Sequence, residues 1–486
     1  MRDVSRAAAA VIVVAGVATV MLVVQPGRLR APGARVSAGF EPCAQSGLDG
    51  RVDCGLVRLH EAHDDSSSPM LEIRVVVARA ASDAGDEPIF FFTGGPGSAA
   101  SQSAGWLARD FAAARQTRDL VFIDQRGTGG SSPLPCDRAP GVARRIAPMF
   151  DEAETAACLT ALSGGRNLTR FTTSDAARDV DQVRRALGYA RINVHGSSYG
   201  SRAAWTYAAM FPHAVRSMIL HGPAPPGFRM PLPFSRGLDV ALDGLVTDCE
   251  EDASCRQRYP DLRRDLKRTF DGVKDAPARV TLQDDAGADV PAAFPAGEVA
   301  EGLRYLLYTN TASRRIPSLV TQAAAGNYTP LARAAVEQRK ANDALNRGMY
   351  LSVTCAEDLP FISDDDLRAS TSGTRLGGYR VLQQRRACAA WPRGASLPDA
   401  FSATLDTAAL VLAGQYDPAT PLADAERGMA LLPNGRLVVI PHGAHSFFGL
   451  GIDACLAETM NAFIERGSAR DVDASCVRAA KRPAFF

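Results

Sequence analysis

The chain has 486 residues, 46% of them apolar, and a formal net charge of +1. That length exceeds a minimal domain and suits a core that carries an insertion. Near-neutrality gives no electrostatic ground for a nucleic-acid or anionic-surface partner, and neither a zinc-type Cys/His cluster nor a phosphate-cradling glycine fingerprint is evident.

Arg2 and Arg6 open the chain, and residues 7–24 then run without a charge. A terminal run of this kind is an export signal or a membrane anchor. It is long for a cleaved apolar region and at the lower limit for a spanning helix. Val36-Ser37-Ala38 offers a small-residue cleavage site, so residues 1–38 are set apart as leader and linker. The ten cysteines agree with export, because an even number in an oxidising compartment reads as disulfides. Connectivity is not fixed by sequence; proximity pairs Cys43 with Cys54, Cys136 with Cys158, Cys249 with Cys255, Cys355 with Cys388, and Cys455 with Cys476.

Residues 70–79 read as a strand, with Leu71, Ile73, Val75 and Val77 on one face. Ile89-Phe90-Phe91-Phe92 and Leu120-Val121-Phe122-Ile123 are short apolar runs, each cut off by a glycine-containing turn. Such runs suit strands buried on both faces. Ala176, Val180, Val183 and Leu187 recur at helical spacing, with Thr173 or Ser174 as cap and Gly188 as terminator. A strand at 192–195, a helix through 210 and a strand at 215–220 follow. Strands at 409–412 and 437–440 flank a helical pattern at 422–432. Alternation of strand and helix predicts a mostly parallel sheet with helices on both faces. Residues 223–405, rich in charge and proline, interrupt that rhythm and read as a mainly helical cap insertion. Residues 39–222 and 406–486 are then the two parts of one core.

Gly196-Ser197-Ser198-Tyr199-Gly200 directly follows a predicted strand and opens a predicted helix. It matches the G-x-S-x-G nucleophile elbow, in which a sharp turn holds a serine hydroxyl clear of the sheet. A serine hydroxyl is a weak nucleophile and needs a base, itself oriented by a carboxylate. The order serine, acid, histidine places Asp417 after one late strand and His445 after the last. His442 is the rival base, but the turn at Gly443 gives the chain room to bring His445 back over the serine. Oxyanion donors are expected from the N–H of Tyr199 and from Gly95, in the Thr93-Gly94-Gly95-Pro96-Gly97 turn. His195, Trp205 and Trp391 read as packing residues, and Arg126 as a residue that fixes its own loop.

Gly94-Gly95-Pro96-Gly97, Asp124-Gln125-Arg126-Gly127-Thr128-Gly129, the serine elbow and Gly443-Ala444-His445 together resemble the prolyl-aminopeptidase and tripeptidyl-aminopeptidase branch of the α/β-hydrolase fold. Leader and cysteines are more similar to the secreted tripeptidyl enzymes than to the cytosolic prolyl ones. Threonine stands at position 93, where prolyl aminopeptidases usually carry histidine. The resemblance implies an acidic cap residue that binds the substrate's α-ammonium group, for which Glu357 and then Asp358 are the candidates. The expected function is release of short peptide units from the N-terminus through an acyl-enzyme, with no metal or organic cofactor. A carboxylesterase or small-molecule amide hydrolase with the same triad is the alternative. A noncatalytic binding module would require a damaged triad.

Overall fold

The computed structural model describes residues 35–36, 40–82, 87–136, 141–340 and 344–486. The apolar run at 7–24 lies outside them, as do Ser37 and Ala38. Among the described residues no helix is long and apolar enough to cross a membrane.

Eight strands carry the fold: β1 (Val52–His60), β2 (Met70–Ala78), β3 (Ile89–Phe92), β4 (Leu120–Ile123), β5 (Ile192–Ser197), β6 (Val215–His221), β7 (Ala408–Gly414) and β8 (Gly435–Ile440). They lie side by side in the order β1-β2-β4-β3-β5-β6-β7-β8, with Arg35–Val36 and Glu41–Pro42 as short edge strands on β1. Strands β1, β2 and β4 are joined antiparallel, and every pairing from β4 to β8 is parallel.

The period of two divides the apolar side chains between two core layers. Phe90, Phe92, Val121 and Ile123 face one layer, together with Ala177, Val180 and Val183 of the helix Thr173–Ala186 and Ala203, Ala204 and Tyr207 of the helix Tyr199–Met210. Ile89, Phe91, Leu120 and Phe122 face the other, against Leu107 of Ala104–Asp110 and Leu456, Met460, Phe463 and Ile464 of Asp453–Arg466. Every position of β3 and β4 is buried, which is why these strands read as unbroken apolar runs.

Strand β1 carries no clear signal of its own. Asp53, Gly55 and Arg58 interrupt its apolar residues, and it forms because all nine of its positions pair with β2. Gly55 is required there: a Cβ would stand 2.8 Å from the Phe40 ring that covers it. The helix expected to start at Thr173 or Ser174 is capped one residue earlier, where the Thr172 hydroxyl accepts the Asp175 N–H.

Between β6 and β7 the chain leaves the sheet and is mainly helical over Phe234–Glu251 through Tyr379–Ala390. One antiparallel hairpin, Ala278–Gln283 with Asp289–Phe294, departs from the helical expectation. Its residues alternate Val280 and Leu282 inward against a packed helix, a short period-two signal masked by the surrounding charge. All five disulfides join the neighbours in sequence named above: 43–54, 136–158, 249–255, 355–388 and 455–476.

Cys355–Cys388 closes a span of 33 residues between two buried helices of the insertion. Replacing both by Ala is expected to cost roughly 2–4 kcal/mol of stability, read as a lowered urea midpoint. An unchanged midpoint would show that this crosslink constrains nothing.

Candidate active site

Strand order reverses at β3: β4 lies on one side of it and β5 on the other. The loops leaving the carboxyl ends of β3 and β5 therefore part company above the sheet, and a crevice opens at such a switch point. Phe92 pairs in register with Gly196, so Thr93 to Gly97 and Ser198 emerge next to each other.

Ser198 adopts φ 56° and ψ −129°, a conformation rare for a residue with a side chain and worth on the order of 1–3 kcal/mol of strain. Its surroundings hold it there. The Ser198 N–H donates to the His221 carbonyl at 2.8 Å, and Ser201 Oγ donates to the Ser198 carbonyl while accepting the Ala224 N–H at 2.8 Å. The flanking glycines are dictated by space. A Cβ on Gly200 would come within 2.1 Å of the Phe92 carbonyl oxygen, and one on Gly196 within 2.4 Å of the Gly200 carbonyl oxygen. Tyr199 is the first residue of the helix that follows, where backbone N–H groups have no intrahelical acceptor.

Asp417 follows β7 and is buried. Its Oδ1 accepts the N–H groups of Ala419 and Thr420 at 2.8 Å each, and its Oδ2 accepts the Thr420 hydroxyl at 2.7 Å. Oδ2 also lies 2.8 Å from His445 Nδ1. Burial pushes this carboxyl up, but the His445 charge, the His445 hydrogen bond and the Thr420 donors outweigh it and hold the group below its ordinary range. Asp417 therefore stays ionised, as an orienting carboxylate must. Thr420, not singled out in the sequence, also lies 3.3 Å from His445 Nδ1; its only local signal is a hydroxyl three residues after an aspartate.

His445 is brought back by the turn after β8. A Cβ on Gly414 would come within 2.2 Å of the Ala444 carbonyl oxygen, so the chain crosses the end of β7 in direct contact. His442, the rival, points elsewhere: its Nδ1 lies 3.0 Å from Asp248 of the insertion, whose second oxygen accepts from Arg482 Nε at 2.7 Å. The insertion also touches the histidine turn. The Ser446 N–H donates to the Tyr308 carbonyl at 2.8 Å, and the Tyr308 ring meets the His445 ring edge-on at 5.0 Å.

Ser198, His445, Gly94, Gly95 and Thr420 line a single cavity of about 210 Å³, roofed by insertion residues. Gly95 has φ 108°, open to glycine, and a Cβ there would stand 3.0 Å from the Leu345 side chain. Among the described residues no His, Cys, Asp and Glu cluster is arranged to hold a metal ion.

Glu357 and Asp358 are not in this cavity, contrary to their expected role as anchors for a substrate ammonium. Both are fully buried. Asp358 receives the Arg202 guanidinium through two bonds of 2.9 Å and the Met230 N–H at 2.9 Å. With that fork spent, Glu357 lies 4.0 Å from Arg202 and is held by the Thr173 N–H at 2.7 Å and hydroxyl at 2.6 Å. Thr173 Oγ1 is in turn 2.8 Å from the Tyr199 hydroxyl. These carboxyl groups brace the base of the elbow helix, each oxygen engaged by a protein donor, and neither lines the cavity. Arg126 is buried and gives two 2.7 Å bonds to Asp179 and further bonds to the Glu61 and Arg170 carbonyls, so it ties its loop to the core. His195, Trp205 and Trp391 are packed in the interior.

A profile of the alpha/beta hydrolase fold matches residues 87–451. The chain belongs to the α/β-hydrolase family. It is 25% identical over 418 residues to the protein named serine protease Hip1 of Mycobacterium tuberculosis, covering 79% of each chain. It is 28% identical over 252 residues to a tripeptidyl aminopeptidase of Streptomyces coelicolor, covering 45% of this chain and 44% of that one. A solved proline iminopeptidase of Mycobacterium smegmatis aligns at 17% identity and a TM-score of 0.40, over 82% of this chain and 95% of that one.

Two outcomes follow from this geometry. Replacing His445 by Ala should lower turnover by several orders of magnitude, whereas His442→Ala should leave it within about tenfold; the reverse ranking would reassign the base. Glu357 is raised from its ordinary 4.5 to about 7, chiefly by burial, with Arg202 and Thr173 opposing. The folded protein then keeps a proton that the unfolded chain releases, so this group's contribution is full below pH 4.5 and is lost as pH rises through 7. Urea titrations should show stability falling across that window, and Glu357→Gln should flatten the fall.

Proposed function

We propose that this α/β-hydrolase is a serine peptidase that cleaves short peptides through an acyl-enzyme. Ser198 Oγ attacks the scissile carbonyl, and His445 Nε2 takes its proton and returns it to the leaving amine. Asp417 fixes the ring by accepting from Nδ1–H and stabilises the imidazolium that forms. The N–H groups of Gly95 and Tyr199 receive the oxyanion. Water then repeats the sequence on the acyl-enzyme. The observation that carries this reading is the 2.8 Å contact of buried Asp417 with a histidine that shares one small cavity with the strained serine.

Peptides are favoured as substrates by the two relatives named for peptidase activity. Enclosure beneath the insertion favours short ones. Recognition of the substrate's N-terminus is not assigned to Glu357 or Asp358, whose oxygens are already taken. Five disulfides favour action in an oxidising compartment outside the cytosol.

A fluorophosphonate probe should label Ser198, and Ser198→Ala should abolish labelling and lower peptide-amide turnover by more than about 10³-fold. Aminoacyl, dipeptidyl and tripeptidyl chromogenic amides, free and N-acetylated, should be compared with simple esters. Turnover of esters alone would replace the peptidase reading with a carboxylesterase. Labelling that persists in Ser198→Ala would remove the nucleophile assignment.

A further inference from the structure

The wall of the cavity facing the catalytic residues carries two arginines and, among its described lining residues, no aspartate or glutamate. Arg304 comes from the helix Ala296–Leu306 and Arg380 from the helix Tyr379–Ala390, and both are buried. Arg304 is well partnered. Its Nε and Nη2 donate to Glu301 at 3.2 and 2.8 Å, its Nη1 donates to the Tyr308 hydroxyl at 2.7 Å, and its guanidinium lies over the Phe234 ring.

Arg380 is not. Its Nη1 is 3.9 Å from the same Glu301, too far for a hydrogen bond. Its Nη2 points at the thioether sulfur of Met149 at 2.8 Å, a weak acceptor. Its Nε has no hydrogen-bond partner; the group otherwise donates to the Tyr350 hydroxyl and rests over the Phe150 ring at 4.9 Å. The nearby carboxylate Glu298 is already committed to Arg339 at 2.5 Å and to the Tyr379 hydroxyl at 2.6 Å. Three buried arginines thus face two buried glutamates, and Arg380 holds the charge left over. A guanidinium cannot shed that cost by losing its proton. Glu301 compensates that cation by charge alone, across 3.9 Å, and an anion brought into the cavity would add the charge-assisted bonds it lacks.

We propose that Arg380, backed by Arg304, is a carboxylate-binding site in the substrate cavity, selecting substrates whose cleaved segment carries a carboxylate. That carboxylate is either an acidic side chain beside the scissile bond or the free C-terminus of a short peptide; both present the planar, bidentate acceptor that a guanidinium matches. Selection by the substrate's acid rests on the hydrolase reading above, whereas binding of an anion does not.

The test uses the full chain and separates the two. Glutarate should raise the melting temperature of Ser198→Ala and slow fluorophosphonate labelling of the parent, and glutaramide should do neither. Peptide amides with Glu at the cleaved position should exceed their Gln counterparts in kcat/KM by about ten- to hundredfold, or acid-terminated peptides their C-terminal amides by the same factor, depending on which carboxylate is read. Arg380→Gln should remove that preference, bringing acid and amide substrates to equal kcat/KM. Met149→Glu, which keeps the arginine but gives it an internal partner, should remove it too and serves if Arg380→Gln does not fold. Equal handling of acid and amide in both positions, with no glutarate effect, overturns the proposal. Glutarate binding that depends on Arg380 in a protein that cleaves no peptide amide would keep the anion site and sink the peptidase reading.

Discussion

The tightest constraint in the molecule is the contact between the backbone leaving β3 and the helix that starts at Tyr199. Gly200 lies so close to the Phe92 carbonyl that even one carbon atom would collide with it. That approach forces the turn at Ser198 into a strained conformation, and the strain is useful because nothing else can occupy the space. The serine cannot relax into the helix without driving the chain into β3. Position of Ser198 is thereby set by the sheet itself, and the glycine turn after β3 is delivered to the same point.

The acid and the base are set with comparable economy. Asp417 is dry and ionised because two backbone N–H groups, one hydroxyl and one imidazole surround it. His445 reaches it because Gly414 lets the next turn cross the end of β7. The insertion then closes over this pair through Tyr308, whose ring edges onto His445 and whose hydroxyl is held by Arg304. The same side chain thus links His445 to the charged roof.

Buried charge is distributed differently on the two sides of the elbow. Beneath it, Arg202 is spent on Asp358, and burial pushes Glu357 toward its neutral form against the pull of Arg202 and Thr173. Above it, three arginines face two glutamates and the balance is positive. In the lower group both carboxyl groups are held by protein donors and neither lines the cavity, so it reads as bracing. The upper one lines the cavity at Arg304 and Arg380, and Arg380 has no carboxylate in hydrogen-bond range.

Local sequence was enough for β3 and β4, because a strand covered on both faces reads as an unbroken apolar run. It was enough to single out Ser198, Asp417 and His445 as candidates, because each sits at a turn after a predicted strand. The disulfide partners lay close along the chain, so proximity found them. It could not supply β1, whose mixed residues pair only because β2 is already in place. Nor could it rank the acids and arginines of the insertion. Glu357 and Asp358 stand beside a cysteine in a plausible motif, yet tertiary packing seals them against Thr173 and Arg202. Arg380 looks in sequence like one more solvated helix charge. Whether a charged side chain is spent on a neighbour or left facing a cavity depends on which elements fold against it, and only the assembled structure decides that.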